Sequence, residues 1–265
     1  MNAVRMIVLV VAVFAVLGTA VASDFSDART MTMGFARVGV ADGASAFTDN
    51  PAGLPHLQTF GLRVSPWPSR LAGTATFNDE SSYGAHYAAR NAAGSMGWGA
   101  GIWHTEAGDT DSIGGGIGGD IGVWDLTGGV AVVNRQNGDD LTVMDLGLMK
   151  EFSLPLNTWR AGVVARDVTD EMGSGTIFDI GASVKLPTGL LLAADITDVT
   201  DEVASAVNLG VECPIPLTGI TLRGGLADGD LTIGAGYTIA NWELTAGWLN
   251  LDSGEQAVVG VTGCF

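Results

Sequence analysis

The sequence predicts an all-β protein, a transmembrane antiparallel up-and-down β-barrel of about fourteen strands preceded by a short helical segment. Three observations predict it: an export leader, apolar residues at every second position over most of the chain, and connections that alternate between acidic and neutral. Of the 265 residues, 47% are hydrophobic and only 15% charged, which excludes a disordered chain. Twelve basic against 29 acidic residues leave a net charge of -17, which repels phosphate backbones and excludes nucleic acid as a partner. Two cysteines are too few for a disulfide-dense scaffold or a four-thiolate zinc site.

The chain begins with Arg5 as the sole charge ahead of an apolar run, Met6 to Val21, and Ala20-Val21-Ala22 supplies the small-x-small pattern of a signal-peptidase site. The run is shorter than the roughly 18–20 residues that span a bilayer as a helix, so it reads as a cleaved leader. The expected organisation is a signal peptide over 1–22, a segment without alternation over 23–56, and a barrel over 57–265.

Alternation is plainest at the end of the chain, where Ala257, Val259, Val261, Gly263 and Phe265 share one face and Val258, Gly260, Thr262 and Cys264 the other. Phe178, Ile180, Ala182 and Val184 likewise alternate with Asp179, Gly181, Ser183 and Lys185. The pattern predicts strands at 58–66, 82–91, 95–104, 112–121, 124–134, 141–152, 158–167, 176–186, 189–198, 205–213, 218–226, 230–238, 241–250 and 256–265; Pro66 and Pro68 end the first early, and residues 70–77 stand as an alternative further short strand. Most are about ten residues, the length a tilted strand needs to cross a bilayer.

A soluble barrel also alternates, so the faces and loops decide. One face is almost wholly aliphatic or aromatic, and the chain has too few charges to solvate an outer surface, which fits an inside-out barrel. Odd-numbered connections carry acids, such as Asp109 and Asp111, Asp170 and Glu171, or Asp201 and Glu202. Even ones, such as Gly122-Val123, Pro187-Thr188 and Ala240-Asn241, carry none. Acidic loops on one side of a membrane and tight turns on the other explain this, and the terminal Phe265 on the outward face reads as an outer-membrane assembly signal. Tyr83, Tyr87, Trp98, Trp124, Trp159, Trp242 and Trp248 have outward parity and suit interfacial aromatic girdles.

Residues 23–56 do not alternate. Asp42 is placed to cap a short helix over Gly43 to Phe47, which Asn50-Pro51-Ala52-Gly53 would end. Met33-Gly34, Ala41-Asp42, Ala44-Ser45-Ala46 and the full Asn50-Pro51-Ala52-Gly53 resemble the N-terminal signature of the FadL-like outer-membrane superfamily, which includes long-chain fatty-acid and hydrocarbon transporters and the PorV/PorQ family. Phe35 stands where a second glycine is usual. The resemblance implies a fourteen-stranded barrel whose N-terminal segment enters and plugs the lumen, with Met33, Gly34, Asp42, Asn50, Pro51, Ala52 and Gly53 as the plug motif.

The inward face predicted from parity carries Arg63, Arg90, Arg160, Arg166, Lys185 and Arg223, with Asp120, Asp125, Asp145, Asp179, Asp195, Glu212 and Glu243. These either line a polar path or tie plug to wall, and the second reading is favoured because buried charges must pair. Inward glycines such as Gly97, Gly99, Gly101, Gly114, Gly116 and Gly118 mark where a plug leans on the wall. The repeat of Asp167-Val168-Thr169-Asp170-Glu171 as Asp198-Val199-Thr200-Asp201-Glu202 lacks the spacing of a dedicated calcium loop, so no metal or other cofactor is expected and two hairpins of one shape are. His104 has outward parity without a matching serine, and no enzymatic activity is expected. Cys213 and Cys264 differ in parity and do not suit a disulfide.

Function therefore reads as outer-membrane binding or transport of small hydrophobic molecules, with a PorV/PorQ-like secretion or surface-attachment component as the alternative. Expected partners are outer-membrane lipid and lipopolysaccharide, the barrel-assembly machinery, and either a small hydrophobic ligand or secreted proteins.

Overall fold

The computed structural model describes residues 26–58, 67–77, 81–106, 109–137, 139–251 and 254–265. The leader, its cleavage site and Arg63 lie outside these. Fourteen antiparallel strands form one closed ring: β1 Ser69–Phe77, β2 Ser82–Arg90, β3 Met96–Thr105, β4 Thr110–Asp120, β5 Leu126–Asn137, β6 Asp139–Ser153, β7 Thr158–Arg166, β8 Ile177–Lys185, β9 Leu191–Thr197, β10 Ala206–Ile215, β11 Ile220–Ala227, β12 Asp230–Ile239, β13 Trp242–Leu251 and β14 Gly254–Cys264. Each pairs with its sequence neighbours, and β1 closes the ring on β14 with Arg70 opposite Cys264 and Phe77 opposite Ala257.

Two strand assignments change. The strand expected at 58–66 lies, beyond Gln58, outside the described residues, and Ser69–Phe77 takes its place in the ring. That strand is the alternative offered at 70–77, and small residues dilute its period: Ala72, Thr74 and Thr76 are buried on one face, while Gly73 and Ala75 flank them on the other. The expected strand at 124–134 begins instead at Leu126, since Trp124 and Asp125 adopt φ of 54° and 55° and form the turn out of β4. Asp125 is therefore an exposed turn residue and not a luminal one.

The ring's antiparallel order puts all odd connections at one end and all even turns at the other, so the acidic connections gather at one end; the even turns expected to be free of acid are so except the one out of β4, which carries Asp125. The faces are those of an inside-out barrel. Ile102, Ile113 and Ile117 are 59%, 59% and 52% exposed on the outer wall, while Asp195 and Thr232 on the inner wall are at most 1% exposed. A wall this apolar has to be covered by lipid hydrocarbon. Phe265 extends the outward row of β14 and meets Trp242 edge to face, ring centroids 5.6 Å apart.

The interior is filled by residues 26–58. Helix α1 spans Ala28–Thr32, capped by Asp27, whose side chain accepts from the Thr30 amide. Helix α2 spans Ala46–Asp49, and a 3-10 helix spans Pro51–His56. The helix expected over 43–47 with Asp42 as its cap is thus displaced: Ser45 holds the N-cap position of α2, and the Asp42 carboxylate is taken by arginines. The Asn50 motif likewise opens a helical turn, its side chain accepting from the Ala52 amide at 3.1 Å. Phe47 is fully buried with Leu54, Trp103, Val133 and Met149, Met33 packs with Leu191 and Ala193, and Met31 packs with Leu249 and Val258.

Candidate functional site: the plug and the vestibule above it

The segment 26–58 is held to the wall in three ways. The first is close backbone approach. A Cβ on Gly225 would lie 2.5 Å from the Gly34 amide nitrogen, so plug and β11 meet backbone to backbone at this point. Gly34 itself has φ of +64° and would drive a side chain into Leu226 of the same strand. Only glycine suits both positions. The expected contact glycines of β3 and β4 face the plug too: Gly99, Gly114 and Gly116 lie against Phe47, and Gly97 against Leu54.

The second is hydrogen bonding from plug backbone to wall side chains. Asp195 of β9 accepts from the amides of Arg37 and Val38, the latter at 2.6 Å. Arg166 of β7 donates to the carbonyls of Thr48 and Asp49 at 2.8 and 3.0 Å. Asn50 works in reverse, its Nδ2 donating to Val38 O at 3.1 Å within the plug and to Leu148 O at 3.4 Å on β6. Arg90 Nε donates to Leu57 O at 2.9 Å, and Lys185 Nζ adds a side-chain to side-chain bond to Gln58 Oε1 at 2.9 Å.

The third is a chain of charges of alternating sign. Arg160 of β7 pairs with Asp42 at 2.8 Å, Asp42 with Arg29 at 2.6 Å, Arg29 with Glu212 of β10 at 2.7 Å, Glu212 with Arg223 at 2.8 Å, and Arg223 with Glu243 of β13 at 2.8 Å. The chain crosses the lumen from β7 to β13 through the plug. A second cluster pairs Arg166 with Asp179 at 2.5 Å and Asp145 at 3.2 Å. Each ion is withdrawn from bulk water and tolerates that only because its neighbours neutralise it.

Of the residues singled out in the sequence, Arg90, Arg160, Arg166, Lys185, Arg223, Asp145, Asp179, Asp195, Glu212 and Glu243 are brought together around the plug. Asp120 is not; it sits exposed at the end of β4 and accepts from the Gly122 amide at 2.7 Å. Met33, Gly34, Asp42, Asn50, Pro51, Ala52 and Gly53 are all buried in the lumen. Arg29 and Arg37 were not anticipated. They are the only Lys or Arg residues in 23–56, and the inward acids facing that segment are the signal that points to them.

Above the plug, toward the acidic loops, lies a vestibule of about 600 Å3. Its lining mixes apolar Phe35, Met172, Ile177, Val203 and Leu251 with Arg37, Arg135, Arg166, Asp179, Asn208 and Asp228. Phe35, at the position noted for its missing glycine, adopts φ of +58°. The two repeated loops around this space share one construction. Asp167 accepts from the amides of Glu171 and Met172 at 3.0 and 2.8 Å, and Asp198 accepts from those of Glu202, Val203 and Ala204 at 3.0, 2.7 and 2.9 Å. Each first aspartate donates its own amide to an inward acid of the wall, Asp145 and Asp179 respectively. Although burial opposes it, the accepted N–H bonds from Val203 and Glu202 hold the Asp198 carboxyl below its ordinary pKa.

No family model matches the chain, and no curated protein matches it. Solved structures similar to it include the KdgM porin, at 6% identity over 74% of this chain and 99% of that one, with a TM-score of 0.44. The Acinetobacter baumannii outer membrane protein Omp33 is 7% identical over 76% and 98%, TM-score 0.49. A variant of the Rhodopseudomonas blastica porin is 12% identical over 75% and 99%, TM-score 0.39. A likeness at this level bears on neither solute nor partner.

Proposed function

We propose that this protein is an outer-membrane barrel that handles small molecules through a lumen shut by its own N-terminal segment. The observation that carries the reading is the vestibule, whose floor is made by Phe35 and Arg37 of the plug. Its mixed lining, with arginines and aspartates in equal number among apolar side chains, fits a small molecule with an apolar body and a polar end, and passage onward requires the plug to shift. This supports the binding of small, largely hydrophobic solutes expected from the sequence, with the qualification that the lining is amphiphilic. Equilibrium dialysis of 4-phenylbutyrate against the protein in lipid nanodiscs tests it: saturable binding that weakens in Phe35→Ala and Met172→Ala is expected. Persistent open-channel current through the unaltered protein in planar bilayers, or no saturable binding, overturns it.

A second reading, a secretion or surface-attachment component without transport, is favoured by the turns at the even end. Trp124, Leu154, Leu156 and Leu217 are 79%, 57%, 72% and 107% exposed there, an unusual display for tight turns and one suited to a protein partner. Photo-crosslinking from position 124 or 156 in cells, yielding one discrete adduct, would favour it over solute handling.

A further inference from the structure

The outer wall is not apolar all the way round. On β8 to β12 the outward residue nearest the acidic-loop end is Phe178, Ile196, Val207, Leu226 and Leu231. On β2 to β5 the same level carries Tyr83, His104, Asp111 and Gln136, which lie directly opposite one another across successive strands. His104 Nδ1 lies 2.9 Å from Asp111 Oδ1, and the Tyr83 ring lies 5.2 Å from the imidazole, tilted by 33°. One row deeper, Ile102 and Ile113 remain apolar, each 59% exposed. Polar row and apolar row together line a recess of about 480 Å3 in the wall, and among the described residues no Lys or Arg lines it.

We infer that this recess on the outer wall of β2 to β5 binds a membrane lipid with a sugar headgroup, the sugar on Tyr83, His104, Asp111 and Gln136 and the alkyl chain on Ile102 and Ile113. A carboxylate, an amide and an imidazole side by side offer both donors and acceptors, as sugar hydroxyls require, and an aromatic ring offers an apolar face to a pyranose. The missing cation argues against a phosphate headgroup, which this acid-bearing row would repel. Two tiers of opposite polarity at the loop-side edge of the apolar belt match the two halves of such a lipid.

The test uses the folded full-length mature barrel in a zwitterionic detergent, titrated with dodecyl maltoside and read by native mass spectrometry. One saturable copy is expected. The Asp111→Ala/Gln136→Ala double variant, with folding checked by its heat-modifiable gel mobility, is expected to weaken it by about tenfold, as the loss of two hydrogen bonds implies. Leu231→Ala, on the apolar side of the barrel, is expected to leave it unchanged. Equal retention of dodecylphosphocholine, retention unaffected by the double variant, or no saturable copy at all overturns the inference.

Discussion

Asp42 of the plug and Arg160 of β7 are 2.8 Å apart, and the other carboxylate oxygen of Asp42 takes Arg29 at 2.6 Å, so one buried acid ties two stretches of chain to each other and to the wall. Its side chain is 1% exposed, leaving no water to take over if the charge is removed.

Asp42→Asn is therefore expected to loosen the plug. Breaking a buried pair by deleting one partner costs about 3–5 kcal/mol, because the remaining charges stay buried and uncompensated. The fourteen-strand ring does not depend on this residue for its ladder bonds, so the barrel should keep its heat-modifiable gel mobility. Planar-bilayer recordings should show current steps absent from the unaltered protein. Unchanged silence would mean that the plug is held by packing alone.

Adjacent glycines on β11 should respond in opposite ways. A Cβ on Gly225 reaches 2.5 Å from the plug backbone at Gly34, whereas a Cβ on Gly224, pointing outward, finds nothing nearer than 3.6 Å. Gly225→Ala is expected to expose the segment 26–58 to added protease, and Gly224→Ala to leave its cleavage rate within about twofold of the unaltered protein, as for a surface change.

The loop after β9 should show a pH dependence with a definite sign. Asp198 has a folded pKa below its unfolded value of about 3.9, so its contribution is fully present above that value and is lost as pH falls through the depressed folded one. Amide exchange at Glu202, Val203 and Ala204, corrected for intrinsic rates, should stay protected from neutral pH to about pH 4 and lose protection only below it. Asp198→Ala should abolish the protection at every pH.

Phe265 closes edge to face on Trp242, against Gly263 between them. Phe265→Ala is expected to cost about 0.5–1.5 kcal/mol for the lost ring pair beyond its area. Urea titration of the refolded barrel in lipid vesicles should register this as a lower midpoint, and Gly263→Val should do the same by wedging the two rings apart.

Residue order alone yields the barrel, about fourteen strands, the end that gathers most of the loop acids and the face that meets lipid, since each follows from a two-residue period that writes exposure directly into the chain. It placed Asp145, Asp179, Glu212 and Glu243 on the inside by parity alone. Small residues blur the period in Ser69–Phe77, which leaves 58–66 competing for its place in the ring, and where a non-glycine residue takes positive φ, as at Trp124, the strand boundary is not legible. The set of pairs, by contrast, exists only in the folded chain. Arg160, Asp42, Arg29 and Glu212 come from β7, the plug and β10, and Asp42 looks like a helix cap until arginines converge on it. The same holds for the row from Tyr83 to Gln136, whose members are strangers in sequence and neighbours through strand register. A period fixes which way a side chain points; only closure of the ring fixes what it meets, because contacts between distant residues depend on register and on how the chain threads the lumen.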